Sequence, residues 1–369
     1  MKLGIIARNV NNGGSGRYIN KLISEISKIK DKDLRVYLFT NNASYKFNKN
    51  VKVIKSKITN KLLFDLVYLP LEIKKHKLDC VIYPKQIIPI THRLINTKKV
   101  VVMHDMIYFD KRFKDEWSWK DNLYMNLFTN QTLKMADKVI CVSNFTKESI
   151  KNLFEVEDRK MKVVHESVDK DLFKRLARKE VLNLTKRFDL NKPFLFYCGS
   201  LSKRKNFKRI LEAFKSISKD YNHDLVISSW LVNNRELKNI KGYPELRDRI
   251  KFLGFVNEKE LVALYNQCSI YLYPSLYEGF GLPVLEAQAC GCPVITSDVS
   301  SMPEIAGKGA LLVDPYKSED ISEAIKEVLD EKELRIQLIK KGRANLKRFS
   351  WANCARDIIK ICHDITYEK

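Results

Sequence analysis

Short β-branched runs alternate with amphipathic stretches of helical length along the whole 369-residue chain. Strands that alternate with helices form parallel sheets whose two faces are covered by the helices. The predicted strands are, in order, LGIIAR, RVYLFT, VKVIKS, DCVIYP, KKVVVMHD, KVICVS, KMKVVHE, FLFYCGS, DLVISSW, IKFLGF, SIYLYPS, CPVITSD and GALLVDP. The alternation predicts an α/β fold, and the length predicts two domains that each bury their own core.

The predicted domain boundary lies in residues 171–191, a polar and basic stretch that is flanked by strands. We therefore expect two doubly wound, Rossmann-like domains that face a central cleft, the first at residues 1–175 and the second at 190–350. Ligands of such sheets bind beyond the carboxyl ends of the strands. The loops that follow strands are therefore the places to search for chemistry.

The net charge of +23 is large, and residues 1–170 hold 33 Lys and Arg against 18 Asp and Glu. Such a surplus attracts nucleic acid, anionic lipid or phosphorylated substrates, although a generally lysine-rich composition explains it equally well. No apolar run approaches the ~20 residues that cross a bilayer, and the start lacks the pattern of a signal peptide. We expect a cytoplasmic protein whose eight scattered cysteines are reduced thiols.

Two loops of the first half carry candidate residues. Gly13, Gly14 and Gly16 precede or open a helix, and they either let the backbone approach a ligand or form a tight turn without one. His104 and Asp105 end a strand. They serve acid/base work or substrate binding, or they form a structural His-Asp pair.

Arg204 and Lys205 stand between a strand that ends near Ser200 and a following helix. Cations beside a helix N-terminus form a strong anion site, and arginine binds phosphate through two hydrogen bonds. A solvated charged face is the alternative, but these charges fall in a loop that should face the ligand. The loop therefore predicts a phosphate-binding site.

The stretch "YEGFGLPVLEAQACGCPV" places two glutamates, Glu278 and Glu286, either side of a Gly-Phe-Gly-Leu-Pro loop. Gly279 and Gly281 allow close backbone approach to a phosphate, and Pro283 suits the first turn of a helix. We expect Glu286 in that first turn, where the helix dipole favours an ionised carboxylate. A phosphate in the middle with hydroxylated groups at each end fits a nucleotide-sugar.

These motifs resemble those of glycosyltransferase family 4, the retaining transferases of GT-B fold, and of its mannosyltransferase-like branch. The resemblance covers essentially the whole chain. It rests on GGSGRY, HD, CVSNFTKESI, YCGSLSKRKN, the run from FLGFVNEKE to CPVITSD, and SSMPEIAGKGALLVDP. It implies that the terminal helix, residues 351–369, packs back on the N-terminal domain.

The resemblance also implies roles for individual residues. Glu278 would hold hydroxyls of the donor sugar, and Glu286 the ribose. Arg204 and Lys205 would neutralise the diphosphate. In the second domain, Val256 would lie beside the base, and the backbone of Phe280, Gly281 and Leu282 would surround the diphosphate, with Ser200 at the end of a strand nearby. In the first domain, Gly14 and Gly16 would border the donor, and His104 would face the transferred sugar.

Family enzymes transfer the sugar with retention and without a metal or other cofactor, which is the expectation here. The strings Asp31 to Asp33 and Asp169 to Asp171 fall outside the predicted cleft and are interpreted as chance D-x-D matches. Two departures from the family pattern are ESVD at residues 166–169 and SSWLVNNREL at residues 228–237. The first concerns the hinge and the second one wall of the donor pocket, so the identity of the donor stays open.

GDP-mannose is the expected donor and a UDP-sugar the alternative. The expected acceptor is a glycan or lipid-linked sugar of cell-surface polysaccharide or glycolipid synthesis. Two stretches, "TNKLLFDLVYLPLEIKKHKL" and "YFDKRFKDEWSWKDNLYMNLF", mix apolar residues with lysines. They indicate either peripheral contact with the cytoplasmic face of an anionic membrane or ordinary core helices with solvated lysines.

Two alternatives of other classes remain. A basic protein without catalysis that binds nucleic acid or membranes would explain the charge, but no known nucleic-acid module is present and no nucleic-acid partner is expected. A glycosidase could use Glu278 and Glu286 as an acid and nucleophile pair, although it would have no use for the basic loop.

Overall fold

The computed structural model describes residues 1–8, 14–41, 50–229 and 243–367. Gly13 and residues 230–237 of the SSWLVNNREL stretch lie outside these ranges, so the expectations attached to them are not addressed. The chain divides into two compact units. Unit 1 consists of Met1–Glu166 and Ser350–Lys369, and unit 2 of Ser167–Phe349.

Unit 1 contains a seven-stranded sheet in the order β3-β2-β1-β4-β5-β6-β7, with parallel pairing throughout. The strands are β1 Lys2–Ile6, β2 Arg35–Thr40, β3 Val51–Lys55, β4 Cys80–Tyr83, β5 Lys98–Met103, β6 Lys138–Cys141 and β7 Met161–Val163. The helices are α1 Gly14–Lys28, α2 Lys61–Leu63, a π-helical turn Phe64–Tyr68, α3 Leu69–His76, α4 Trp119–Met135 and α5 Asn144–Leu153.

Unit 2 contains a six-stranded sheet in the order β10-β9-β8-β11-β12-β13, again parallel. The strands are β8 Phe194–Cys198, β9 Asp224–Ser228, β10 Ile250–Phe252, β11 Ile270–Tyr273, β12 Val294–Ser297 and β13 Leu311–Val313. The helices are α6 Arg178–Thr185, α7 Phe207–Ile217, α8 Glu258–Gln267, α9 Leu282–Ala289, α10 Met302–Ala306, α11 Ser318–Asp330 and α12 Lys332–Asn345.

The hydrophobic pattern of the sequence explains why the strands are buried and which face of a helix packs on them. Central strands such as β4 and β11 are buried along their length, as expected of sheets covered on both faces. Helix α7 buries the apolar face that its spacing predicted, including Phe207, Leu211 and Phe214. Every predicted strand coincides with an observed one.

The last helix, α13 (Trp351–Tyr367), belongs to unit 1, where it contacts α1. The ring of Trp351 lies edge-on to Tyr18, with 5.6 Å between centroids, and Cys354 is buried. Two parallel α/β sheets and a returning terminal helix confirm the predicted α/β fold class.

Each sheet has a switch point, where the strand order reverses. In unit 1 it lies between β1 and β4, and in unit 2 between β8 and β11. Loops leaving the carboxyl ends of two such strands diverge to opposite faces and open a crevice for ligands. In unit 2 the loops that leave β8 and β11 carry Arg204, Lys205 and Glu278.

The cysteines and the apolar helices bear on the expectations of reduced thiols and of no membrane-spanning run. All eight cysteines are free, and only Cys198 is not fully buried. Among the described helices, none is long and apolar enough to span a bilayer.

Candidate active site

The two loops at the switch point of unit 2 bring opposite charges into contact. The Lys205 ammonium lies 2.6 Å from Glu278 Oε1, and Arg204 Nη1 lies 3.3 Å from the same carboxylate. All three side chains are largely buried, between 11% and 20% exposed. The sequence separates the two loops by about 70 residues, so the parallel topology alone creates this cluster.

Burial and the neighbouring charges act on the pKa values of both Glu278 and Lys205. Burial acts to raise the pKa of Glu278, but the charges of Lys205 and Arg204 outweigh it and leave the pKa below its ordinary value. Burial lowers the pKa of Lys205, Arg204 lowers it further, and Glu278 opposes both. Two cations that face one carboxylate leave a surplus positive charge, which suits a diphosphate.

Asn206 holds the basic loop in place. Its backbone is left-handed (φ 62°), and its buried side chain donates hydrogen bonds to the carbonyls of Pro274 (3.0 Å) and Pro315 (2.6 Å). A backbone bond from Leu276 N–H to the Arg204 carbonyl (2.8 Å) ties the same two loops together. These hydrogen bonds of the fold therefore fix the cations relative to Glu278.

Tyrosines of α8 and β11 support the two glutamates, a contribution that the sequence analysis missed. Tyr273 of β11 donates its hydroxyl to Glu278 (3.0 Å), and Tyr265 of α8 donates to Glu286 (3.3 Å). The ring of Tyr271 lies between them, 4.9 Å from Tyr265 and 5.8 Å from Tyr273 by centroid. A tyrosine within an apolar strand or helix pattern is typical of a core position, so only the fold identifies these hydroxyls as part of the site.

The predicted position of Glu286 in the first helical turn is wrong. Helix α9 begins at Leu282, before Pro283, so Glu286 is its fifth residue and lies beyond the first turn. The carboxylate is buried, and the Tyr265 hydroxyl donates a hydrogen bond to it. The helix dipole is strongest at the first turn and does not explain this residue.

The loop between the two glutamates is held from one side by Ser301. Its hydroxyl contacts the carbonyls of Glu278 (2.9 Å) and Phe280 (2.7 Å). Phe280 is buried edge-on against Phe349. Gly281 caps α9 in a left-handed conformation (φ 112°), and Leu282 begins the helix. The expected backbone cradle thus has a fixed shape.

Replacement of Gly281 by alanine is expected to destabilise unit 2 by about 2–4 kcal/mol, since it combines a left-handed residue with an overpacked contact. The new Cβ would overlap Met302 Cε, and the Met302 side chain is fully buried. The free energy of unfolding in denaturant measures the change.

Gly254→Ala is the matched control, since its φ of 65° is also left-handed but no atom lies within 4 Å of the new Cβ. We expect it to cost about 1–2 kcal/mol, the backbone component alone. Equal losses in the two variants would show that Met302 does not constrain the loop.

Two further predicted donor residues lie on neighbouring loops of the same sheet. Ser200 follows β8, and its carbonyl accepts a hydrogen bond from Tyr197. Val256 is buried in the loop between β10 and α8. Both follow carboxyl ends of strands, as expected, and their roles toward a donor stay predictions.

In unit 1, His104 follows β5 and pairs with Glu166, not with Asp105. His104 Nδ1 lies 3.3 Å from Glu166 Oε1, and Nε2 lies 2.9 Å from the Pro84 carbonyl. Asp105 Oδ1 instead accepts the backbone N–H of Ile107. The prediction of a structural pair between His104 and Asp105 is therefore wrong. The partner of His104 is Glu166, the first residue of the ESVD stretch that departs from the family pattern.

The Glu166 contact sets the protonation of His104. Burial lowers the pKa of His104, but the hydrogen bond and charge of Glu166 outweigh it, so that the pKa lies above its ordinary value of 6.5. A doubly donating imidazolium satisfies both Glu166 and Pro84. Both ring nitrogens are thus engaged, and the histidine is suited to act through its charge.

Glu166→Gln is expected to lower the midpoint of the His104 titration, because the charge of Glu166 no longer opposes burial and only the smaller effects of the Pro84 carbonyl and Asp105 do so. The raised pKa contributes stability below pH 6.5, and this contribution disappears as pH rises through the folded-state pKa. The difference in unfolding free energy between wild type and variant should therefore shrink above pH 6.5. NMR titration of the assigned imidazole measures the midpoint; an unchanged midpoint would show that Glu166 does not control it.

The two predicted glycines of unit 1 open α1. Gly14 is exposed and begins the helix, and a Cβ added there would meet no atom within 4 Å. Gly16, by contrast, is buried. Their expected contact with a ligand stays a prediction.

A second cationic group, at the switch point of unit 1, was missed by the sequence analysis. Arg8 follows β1 and Lys85 follows β4; Lys85 Nζ donates to the Arg8 carbonyl (2.8 Å). Arg8 Nε lies 3.9 Å from Asp65, and burial lowers the pKa of Lys85, as do the charges of Arg8 and Lys61. The Asp65 carboxylate thus faces the charges of all these cations. In a lysine-rich sequence, nothing marks single basic residues such as Arg8 and Lys85 as members of one cationic group.

Metal ligands do not gather in the described part of either unit. Within residues 1–8, 14–41, 50–229 and 243–367, no group of three or more His, Cys, Asp or Glu side chains could hold a metal ion.

Known proteins resemble the chain in sequence and fold. The family model of group 1 glycosyl transferases matches residues 182–345, and that of glycosyltransferase family 4 matches residues 12–172. The O-antigen chain mannosyltransferase B of Escherichia coli is 30% identical over 281 residues, which are 73% of this chain and 70% of the relative. The serotype-specific mannosyltransferase WbdA of Escherichia coli is 25% identical over 266 residues, 70% of this chain and 32% of that relative.

A solved structure gives the fold independently. Sucrose-phosphate synthase from Thermosynechococcus elongatus superposes with a TM-score of 0.80 at 18% identity, over 100% of both chains. This likeness, with the two parallel sheets, identifies the GT-B architecture.

Proposed function

The chain belongs to glycosyltransferase family 4, and from that premise we propose that it transfers mannose from GDP-mannose to a glycan or lipid-linked acceptor in cell-surface polysaccharide synthesis, with retention and without a metal. The observation that carries the proposal is the buried cluster of Arg204, Lys205 and Glu278 at the switch point of unit 2. Relatives named as O-antigen mannosyltransferases support the choice of sugar.

In the proposed reaction the bond between the anomeric carbon and the β-phosphate oxygen breaks. A new bond forms to the acceptor oxygen on the same face, and the acceptor proton passes to the departing diphosphate. Arg204 and Lys205 stabilise the charge that develops on this leaving group. Because these two cations can neutralise the diphosphate, the proposal assigns no charge to a metal ion.

Glu278 changes partners in the proposed cycle. Without donor its carboxylate neutralises Lys205 and Arg204. When the diphosphate takes over these cations, the carboxylate becomes available to accept hydroxyls of the donor sugar. Glu286, supported by Tyr265, accepts the ribose hydroxyls, and Val256 borders the base.

The proposal also assigns acceptor-binding roles to residues of unit 1. The imidazolium of His104, held by Glu166, is suited to favour negative charge on a group that binds beyond the carboxyl ends of the strands of unit 1. Arg8 and Lys85 are suited to an anionic group of the acceptor, such as the phosphate of a lipid carrier. Gly14 and Gly16 border this region.

The electrostatics of unit 2 do not favour Glu278 as the general acid of a glycosidase. A general acid for glycoside cleavage needs a raised pKa so that it is protonated near neutral pH. The pKa of Glu278 is lowered instead, by Lys205 and Arg204 against the effect of burial. The lowered pKa does not suit Glu278 to supply the proton, and the basic loop of Arg204 and Lys205 is better suited to a diphosphate than to a neutral glycan.

Thermal stabilisation by GDP, UDP and ADP, each with magnesium and with EDTA, tests the proposal. A ligand at a hundred times its dissociation constant adds about 2.7 kcal/mol, which is readily measured. We expect a shift with GDP that EDTA does not remove. A shift with UDP alone would support the alternative donor, a shift that needs magnesium would contradict metal independence, and no shift would contradict the donor site.

A further inference from the structure

Two helical segments of unit 1 each expose a row of apolar side chains at i, i+4, i+8 spacing. Such positions share one face of a helix. The exposed fractions run from 48% to 70%, although core positions are normally covered. The two rows, named here the apolar patch, consist of Leu63, Val67 and Leu71, and of Trp119, Leu123 and Leu127.

The two rows belong to neighbouring segments. The Lys61 ammonium lies 4.4 Å from the ring centroid of Tyr124, which brings the start of α2 beside α4. A 3₁₀ turn at Ile90–Leu94 contacts both the π-helical turn and α4. It adds Leu94, which is 77% exposed. Three neighbouring elements of unit 1 thus carry exposed apolar side chains.

The patch is not an unfinished core face. The opposite side of the 61–76 segment already buries Phe64, Leu69 and Ile73 against the sheet. A helix that needs only one covered face carries polar residues on the other. Apolar side chains on both faces indicate a second partner, and exposed patches of this kind mark interaction or membrane sites.

Cations accompany the patch. Lys61 lies beside Leu62, Arg93 beside Leu94, and the Lys120 ammonium lies 5.8 Å from the ring centroid of Trp119. Long basic side chains beside apolar rows allow the stems to enter a lipid interface while the charges reach the headgroups. A chain of net charge +23 would repel a second copy of itself at such a face.

We propose that the apolar patch docks unit 1 on the surface of an anionic lipid bilayer, with Leu63, Val67, Leu71, Trp119, Leu123 and Leu127 at acyl-chain depth and the neighbouring cations on headgroup phosphates. The core-helix alternative for these stretches does not account for the exposure of both rows. The proposal concerns a surface of unit 1 and does not depend on the identity of the donor.

Co-sedimentation of the full chain with vesicles tests the docking. The vesicles contain phosphatidylcholine alone, or phosphatidylcholine with about a third of phosphatidylglycerol. We expect binding to the anionic vesicles at least about tenfold tighter than to the neutral ones, and weakened by salt near 1 M. The double variant Trp119→Ser/Leu123→Ser should bind the anionic vesicles at least about tenfold more weakly.

The matched control is Leu182→Ser/Ile336→Ser, which removes two side chains of similar exposure, 50% and 55%, from unit 2. It should bind vesicles as the wild type does. GDP stabilisation is measured on all three proteins. It should be unchanged in both variants, and its absence from every protein would count against the donor proposal and not against the docking surface.

Three results would overturn the docking. Equal binding of the wild type to both vesicle types would remove the anionic selectivity. If the Trp119→Ser/Leu123→Ser variant bound anionic vesicles as tightly as the wild type does, the apolar patch would not be the surface that binds them. A wild-type dimer that the patch variant converts to monomer, with no vesicle binding, would assign the patch to a second copy of the chain.

Discussion

Lys205→Ala is expected to lower the transfer rate by about 10²–10³-fold, the usual effect of removing one preorganised charge from a leaving-group site. The ammonium of Lys205 is buried against Glu278 and Tyr273, so no solvent cation can take its place easily. Steady-state transfer from radiolabelled GDP-mannose measures the rate. Lys208→Ala, on the helix that follows the loop and 71% exposed, is the control and should stay within about twofold of wild type.

The same substitution leaves a buried carboxylate with one cation fewer, and breaking a buried pair costs about 3 kcal/mol. A slow variant could therefore be a poorly folded one. Lys205→Ala/Glu278→Gln removes both members of this ion pair, so it should recover the part of the unfolding free energy that is lost because the carboxylate keeps Arg204 alone of the two cations. If the double variant also recovered the rate, the charge of Lys205 would not be what drives departure of the diphosphate.

Glu278→Gln is expected to lower kcat/KM for the donor by about 10²-fold, because the amide replaces an ionised acceptor of sugar hydroxyls. The affinity for GDP, by contrast, should not fall. Arg204 and Lys205 are no longer neutralised, so GDP should bind as tightly as to wild type or more tightly. The ratio of GDP-mannose to GDP affinity, measured by calorimetry, separates the two effects.

Glu212→Gln provides the control, since Glu212 pairs with Lys208 on α7, away from the loop after β11. It should leave both affinities unchanged. A Glu278→Gln protein that kept the wild-type rate and the wild-type preference for GDP-mannose would refute the role given to this carboxylate.

The strands were predictable because both sheets are parallel and covered on two faces. Runs such as "FLFYC" and "CVIY" are buried along nearly their whole length and need no alternation to be identified. The Arg204, Lys205 and Glu278 cluster was predictable for the same reason, since loops after neighbouring parallel strands meet at one edge.

Contacts that depend on three-dimensional register were not predictable. Glu166 reaches His104 only because β7 ends near the end of β5 in the folded sheet, across 62 residues of chain. Tyr273 is a strand residue whose hydroxyl points at Glu278. The start of α9 at Leu282 moved Glu286 out of the first turn, a shift too small for a proline signal to resolve.

Exposure of the apolar patch was equally hidden. Leu63, Val67 and Leu71 have the spacing of an ordinary core stripe, and so do Trp119, Leu123 and Leu127. Periodicity reports that residues share a face but not whether the protein covers that face. Only the packed structure shows that the 61–76 segment is covered on its other side.

A crystal structure of the complex with GDP-mannose would test the central claim most directly. The account predicts β-phosphate oxygens within about 2.7–3.2 Å of the Arg204 guanidinium and the Lys205 ammonium, with Glu278 turned to the sugar hydroxyls. A donor bound elsewhere, with Glu278 still paired to Lys205 and Arg204, would contradict it.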